Sequence, residues 1–61
     1  MKYLGFLKDA SGSLAILEGR DGETKICEEG DRFAGMRVAR IEKNQVILEE
    51  QGKKRQLLLQ R

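Results

Sequence analysis

The stretch GDRFAGMRVARIEKNQVILEEQGKKRQLLL, residues 30–59, decides the fold. It contains three short apolar runs, which two polar turns separate. Apolar and polar residues alternate along the last two runs, and a period of two over so short a length is typical of strands rather than of a helix. We therefore predict a meander of antiparallel strands. The predicted strands are Met36–Ile41, Gln45–Glu49 and Gln56–Leu59, and the predicted turns are Lys43-Asn44 and residues 50–53.

The last hairpin of this meander is expected to bury one side of each strand. Side chains of one parity share a face of a strand, so Val46 and Leu48 lie on one face. The same holds for Leu57 and Leu59 on the following strand. We predict that the two pairs face each other across the hairpin, and that Leu48 and Leu57 are buried cross-strand neighbours.

One part of the meander conflicts with a straight strand. Val38 and Ile41 both have the character of core residues, but their positions have opposite parity. A β-bulge adds one residue to a strand and so reverses the parity of the residues beyond it. We predict a bulge or bend near Ala39-Arg40 that turns both side chains inward.

The first 30 residues show further strand-like runs and turn signals. Gly5, in the middle of the first run, predicts a bulge or a close approach of two backbones. Asp21-Gly22 predicts a hairpin, because glycine accepts the positive φ that such turns need. Residues 8–13 have the composition of a loop. The predicted strands are Tyr3–Leu7, Leu14–Leu17 (apolar on both parities, hence central and covered on both faces) and Glu23–Cys27 (polar, hence near an edge).

The spacing of the turns indicates the fold class. Turn signals recur about every 8–12 residues, which is typical of small β-sandwiches and barrels. Residues 32–35 are expected to be irregular or a single turn of helix, with Phe33 filling the core. We predict an all-β fold of six short strands, partly barrel-like, in a single domain that spans residues 1–61.

Composition limits what can stabilise this domain. The 61 residues include one cysteine and no histidine, so neither an intramolecular disulfide nor a Cys/His metal site is expected. Twelve basic and ten acidic residues give a net charge of +2, which by itself does not indicate a nucleic-acid partner. No run of 18 apolar residues indicates a membrane span. With no signal peptide apparent, the chain is expected to be a cytosolic miniprotein or a domain whose targeting segment lies upstream.

The residues that carry enzyme chemistry are few. Ser11 and Ser13 have no histidine to activate them, which argues against a serine hydrolase. Neighbouring carboxylates, as in Glu28-Glu29 and Glu49-Glu50, point to opposite faces of a strand and do not converge on one substrate. Cys27 is interpreted as a half-buried strand residue rather than a nucleophile. We therefore expect no catalytic activity, no cofactor, no metal and no small-molecule substrate.

Two kinds of surface remain as candidates for a partner. The first is basic: Lys53–Arg55, with Arg37, Arg40 and Lys43 on one face, is compatible with a small β-barrel that binds RNA or single-stranded DNA. Such binding also needs stacking aromatics, and the chain has only three aromatic residues, at least two of which the core needs. A solvated hairpin turn is the simpler interpretation of the basic cluster.

The second candidate surface is apolar. If Val46 and Leu48 face the core, Ile47 and Leu58 point the other way and form an exposed patch on neighbouring strands. Leu14 and Ile16 raise the same question on the second strand. A chain of this length has few elements with which to cover a second face, so the alternatives are a two-layer sandwich that buries these residues and a protein-binding surface. Open sheets also leave edge strands, to which a partner can add a strand.

The order of these features resembles a known family. A strand with a central Gly5 is followed by Leu14-Ala15-Ile16-Leu17-Glu18, by Glu29-Gly30-Asp31 and by a Val-x-x-Ile pair at residues 38 and 41. Val46-Ile47-Leu48-Glu49, Gly52 and a Leu-x-Leu pair at residues 57 and 59 complete the pattern. It is similar to the periplasmic homology-region domain of the type II secretion protein GspC, and to the C-terminal domain of the type IV pilus protein PilP. The short turn at residues 50–53 is closer to GspC, because PilP has a longer insertion there.

The resemblance implies both a fold and a function. The implied fold is a sandwich of two three-stranded antiparallel sheets in the periplasm. The implied function is non-enzymatic: the domain connects other inner-membrane secretion or pilus components to the N-terminal periplasmic domain of an outer-membrane secretin. A transmembrane helix and linker precede the domain in that family, so contact with the inner membrane is expected only through a segment outside this sequence. No nucleic acid is expected as a partner under this interpretation. The predicted partner-binding residues are Tyr3, Leu4, Gly5, Phe6 and Leu7 at a strand edge, with Ile47 and Leu58 as a second choice.

Overall fold

The computed structural model describes residues 1–60, which form two antiparallel β-sheets. The first sheet has the strand order β1-β2-β3 and the second has the order β4-β5-β6-β7. The predicted all-β, sandwich-like class is therefore confirmed, but the described residues form seven strands rather than six and no closed barrel. The strands are β1 Lys2–Asp9, β2 Gly12–Glu18, β3 Thr24–Glu28, β4 Arg32–Phe33, β5 Met36–Ile41, β6 Gln45–Glu50 and β7 Lys53–Leu58.

The additional strand lies where an irregular segment was predicted. Ala34 and Gly35 both have positive φ, of 54° and 80°, so the chain reverses within two residues. This turn lets Phe33 pair with Met36 and makes β4 the edge strand of a four-stranded sheet. Phe33 is 6% exposed, which confirms its predicted place in the core.

The core lies between the two sheets and is apolar throughout. The buried positions alternate along β2 and β6, as a sheet with one face on a core requires. No buried side-chain nitrogen or oxygen among the described residues lacks a hydrogen-bond partner. The buried residues are Tyr3, Ala15, Leu17 and Cys27 from the first sheet and Phe33, Val38, Ile41, Val46 and Leu48 from the second.

The last hairpin has a shorter turn than predicted. Gln51 and Gly52 adopt φ values of 50° and 80°, so β6 and β7 pair up to Glu50 and Lys53, with only two residues between them. In this register Val46, and not Leu48, faces Leu57. Leu48 instead faces Arg55, so the prediction that Leu48 and Leu57 are direct cross-strand neighbours is wrong. Leu48 is fully buried, and Leu57 is half-buried on the diagonal.

Both predicted bulges are present. The pairing of β5 with β6 shifts between Val38 and Arg40, and this shift turns both Val38 and Ile41 into the core. Beyond the bulge, the backbone N–H of Ile41 donates a hydrogen bond to the Glu29 carboxylate at 2.9 Å. The pairing of β1 with β2 shifts at Leu4, so Tyr3 faces Leu17 and Gly5 faces Ile16.

The middle strand of the first sheet is covered on one side only. Ala15 and Leu17 are fully buried, whereas Leu14 and Ile16 on the opposite side are half-buried. The prediction that β2 is central is confirmed, and the prediction that both its faces are covered is wrong. The predicted loop at residues 8–13 is also too long, because β1 and β2 continue to a two-residue turn at residues 10 and 11.

Candidate interaction surface

The outer surface of the first sheet, which faces away from the core, carries an apolar patch. Leu7 pairs with Leu14, and Ile16 pairs with Ile26 on the next strand. Leu7 is 46% exposed and Ile26 is 56% exposed, whereas Leu14 and Ile16 are half-buried. We name this patch the outer apolar face and define it by Gly5, Leu7, Leu14, Ile16 and Ile26.

Gly5 gives the outer apolar face its shape. The bulge in β1 places Gly5 directly opposite Ile16. A Cβ atom at position 5 would lie only 3.3 Å from Cδ1 of Ile16, which is tighter than most van der Waals contacts. Ile16 therefore lies across the glycine and covers it.

Opposite charges lie at the two ends of β1 on this face. Lys2 lies at one end, with its Nζ 3.9 Å from the Glu18 carboxylate. Asp9 lies at the other end, where its Oδ1 accepts hydrogen bonds from the hydroxyl and amide of Ser11 and from the amide of Gly12. The bond from the Ser11 hydroxyl is the main cause that lowers the pKa of the Asp9 carboxyl. Asp9 is therefore charged at neutral pH.

The five predicted partner-binding residues of β1 do not share one surface. Gly5 and Leu7 belong to the outer apolar face, and Leu4 is 38% exposed at the bulge. Phe6 is half-buried and packs against the core. Tyr3 is fully buried. Only part of the predicted site is therefore available to a partner.

Tyr3 is a core residue and not, as predicted, a residue available to a partner. Its hydroxyl donates to the backbone oxygen of Glu42 at 2.8 Å and lies 3.3 Å from that of Lys43. Burial raises the pKa of the Tyr3 phenol. The Gln60 N–H donates to the Tyr3 carbonyl at 2.9 Å, next to a parallel bridge between Tyr3 and Leu59. The C-terminal segment therefore covers the beginning of the β1 edge.

The second predicted patch lies on the outer surface of the other sheet. Ile47 faces Gln56 on one side and Arg40 on the other. Leu58, which is 65% exposed, faces Gln45. The two apolar residues share a face, but polar side chains separate them from further apolar neighbours. This surface is less apolar than the outer apolar face of the first sheet.

Sequence reasoning missed Ile26 as a surface residue. The strand around it was predicted to be polar and near an edge, and β3 is indeed an edge strand. The signal was the parity of Ile26, which is opposite to that of the buried Cys27. Combined with the register Ile16–Ile26, this parity places Ile26 beside the other outward apolar residues.

The basic residues are interleaved with acidic partners. Arg37 Nη2 lies 3.0 Å from Glu49 Oε1, and Arg40 Nε lies 2.8 Å from Glu42 Oε2. The hairpin lysines also face carboxylates, because Lys53 pairs with Glu50 and Lys54 pairs with Glu49. Of the three aromatic side chains, Tyr3 and Phe33 are buried and Phe6 is half-buried. The described surface therefore offers no row of free cations with stacking platforms beside them.

We expect RNA and single-stranded DNA to bind this protein only feebly, even at low salt. Fluorescence anisotropy with labelled oligonucleotides should give a shallow curve that does not saturate. The matched variant replaces Lys53, Lys54 and Arg55 together by Glu. Tight binding that weakens steeply with salt, and that this variant abolishes, would favour the nucleic-acid alternative.

The residues that were weighed as chemical groups have structural contacts. Cys27 is fully buried rather than half-buried, and burial raises the pKa of its thiol, which disfavours the nucleophilic thiolate. The described residues contain no group of three His, Cys, Asp or Glu side chains suited to a metal ion. Within residues 1–60 no helix is long and apolar enough to cross a membrane.

Comparison with known proteins finds no matching family model, no matching curated protein and no matching solved structure. The resemblance to the GspC and PilP domains therefore stays a prediction.

Proposed function

We propose that this domain is a non-enzymatic protein-interaction module of a type II secretion or type IV pilus system. In this proposal it lies in the periplasm as part of an inner-membrane protein. It connects the inner-membrane components to the N-terminal periplasmic domain of the outer-membrane secretin. The order of sequence features that resembles the GspC domain supports the choice of system.

The observation that carries the interaction function is the exposed apolar surface of the first sheet. Ile26 and Leu7 are among the most exposed large apolar side chains of the described residues, and they share a sheet face with Leu14 and Ile16. Exposed apolar patches on small soluble domains mark interaction sites. These side chains do not stabilise the isolated domain while they are exposed to water. A partner that covers them is therefore the favoured explanation.

The proposed contact combines the edge of β1 with the side chains beside it. β1 is an edge strand of the first sheet, and the bridge at Tyr3 covers only its beginning. The remainder, from Gly5 to Asp9, is available to pair with a strand of the partner. Leu7 lies in this segment and supplies an apolar contact next to the backbone pairing.

We expect an isotopically labelled domain to bind the N-terminal periplasmic domain of the secretin encoded in the same genome. In an NMR titration, the resonances that shift should cluster along β1, including those of Leu7. A connector in a dynamic assembly needs only weak binding, so the dissociation constant should be micromolar, about −8 kcal/mol or weaker. Leu7→Asp should abolish the shifts while the spectrum stays that of a folded domain, because it places a charge in an apolar contact.

Leu58→Asp is the matched control on the other sheet. Leu58 is the more exposed of the two leucines, so the same charge is tolerated by the fold. If Leu58→Asp abolishes binding and Leu7→Asp does not, the contact is the second predicted surface around Ile47. If a saturating amount of the secretin domain moves no resonance, the connector function is wrong and the resemblance concerns the fold alone.

A further inference from the structure

The outer apolar face is self-complementary in charge. Lys2 and Asp9 lie at opposite ends of the same strand and carry opposite charges. Between these two ends the face is apolar, with Leu7 46% exposed and Ile26 56% exposed. Consider two copies packed face to face and related by a two-fold axis that lies in the interface, perpendicular to the strands. Each strand then lies over the same strand of the second copy, with its two ends exchanged. This arrangement therefore brings Lys2 of each copy opposite Asp9 of the other and brings the apolar side chains of the two copies together.

We propose that the outer apolar face is a weak homodimer interface, in which the first sheets of two copies pack face to face around a two-fold axis across the strands. This proposal does not depend on the proposed function. A two-fold interface uses the same patch on both copies and closes at the dimer. Two sheets that pack face to face bury their outward side chains between them.

The residues that meet are given by the strand register. The row Gly5–Ile16–Ile26 of one copy lies over the row Leu7–Leu14–Glu28 of the other, because the axis reverses the order of the rows. Leu7 of one copy then packs on Ile16 of the other, whose side chain lies across Gly5. At each end, Lys2 of one copy lies opposite Asp9 of the other.

An axis along the strands is the other way to stack the two faces, and it is less favourable. It would place β1 over β3 and Glu18 of each copy directly opposite Glu18 of the other. Like charges that face each other are destabilising. It would also leave Lys2 opposite the uncharged Thr24, since Lys2, Glu18 and Thr24 form one row of the sheet.

The size of the face sets the strength of the dimer. Three strands about 4.8 Å apart and eight residues of about 3.3 Å each cover a surface well below the roughly 800 Å² per partner of a stable complex. We therefore expect a dissociation constant on the order of 10⁻⁴ M. Such a dimer forms only when copies are concentrated, as they are when several are held side by side in one assembly.

Sedimentation equilibrium of the isolated protein tests the proposal. From about 10 µM to about 1 mM protein, the weight-average mass should rise from that of the 6.9 kDa monomer toward twice this value. Ile26→Glu should abolish the rise, because residue 26 lies opposite Glu28 of the second copy. Ile26→Lys should retain most of it, because the lysine meets a carboxylate there. Both variants place a long charged side chain at a position that is 56% exposed, so the fold should tolerate them equally.

Two further variants define the interface. Asp9→Asn keeps the oxygen that accepts from Ser11 and Gly12 but removes the charge opposite Lys2, so it should weaken the dimer about two- to fivefold. Leu58→Glu, on the other sheet, should leave self-association unchanged. A monomeric mass throughout the concentration range would overturn the proposal. So would equal effects of Ile26→Glu and Ile26→Lys, or a species that grows beyond the dimer.

Discussion

Leu48→Ala is expected to lower the free energy of unfolding by roughly 2–5 kcal/mol. Leu48 is fully buried in the middle of β6, between neighbours on both adjacent strands. Its truncation removes apolar contacts and leaves a cavity that a rigid two-sheet core fills only in part. A domain of this size possesses only a few kcal/mol of net stability. The variant should therefore lose most of this stability and unfold well below its parent's melting temperature.

Urea denaturation and thermal melting, both followed by circular dichroism, measure this loss. Leu58→Ala is the matched control, because it makes the same chemical change on the next strand at a side chain that is 65% exposed. It should change stability by less than about 0.5 kcal/mol. A melting temperature of Leu48→Ala within about two degrees of the parent's would contradict the placement of β6 in the core.

Much of this fold could be predicted because the apolar pattern has a period of two. The bulge after Val38 is the clearest example. Two core residues of opposite parity on one strand leave few solutions, and a bulge is the simplest of them. The glycine in β1 was informative for the same reason, since Gly5 weakens a strand unless a bulge or a close neighbour uses it. In both cases the sequence contained a local conflict that a bulge resolves.

The tight turns were harder to predict. The turns at Ala34-Gly35 and Gln51-Gly52 both place a residue other than glycine at positive φ. Asn-Gly and Asp-Gly are the usual signals for such turns, because Asn and Asp tolerate the left-handed region. Alanine and glutamine do not indicate it. For this reason β4 and the true register of the last hairpin were missed, and Arg55 rather than Leu57 lies opposite Leu48.

The candidate site depends on burial, which alternation alone leaves open. Alternation assigned Ala15 and Leu17 to one face of β2 and Leu14 and Ile16 to the other. It did not establish which of the two faces the second sheet covers. Tyr3 shows the limit most clearly. Its position at the beginning of an edge strand suggested exposure. In the structure, however, β1 contacts the C-terminal segment at this position, so that the two sheets meet there and Tyr3 is buried. Contacts between residues so distant in sequence leave no trace in local pattern.

Tyr3→Ala is expected to cost roughly 3–5 kcal/mol of folding free energy, the range for truncating a large buried aromatic residue. Tyr3 is the largest fully buried side chain of the described residues. Its ring belongs to the first sheet, while its hydroxyl donates to the turn between β5 and β6 in the second sheet. The side chain therefore links the two sheets both by packing and by a hydrogen bond.

Tyr3→Phe separates these two contributions. It keeps the ring and removes the hydroxyl, which leaves the Glu42 carbonyl with the Gln45 N–H, at 3.3 Å, as its donor. The expected cost is about 0.5–1.5 kcal/mol, the net contribution of a typical hydrogen bond, because the carbonyl keeps a second donor. Leu4→Ala, at the exposed neighbouring position, is the control and should cost less than either. Urea denaturation of the three variants should therefore rank them in the order Tyr3→Ala, Tyr3→Phe, Leu4→Ala. A Tyr3→Phe variant as stable as the parent would show that packing alone joins the sheets at this position, and that the hydroxyl is free to serve another contact.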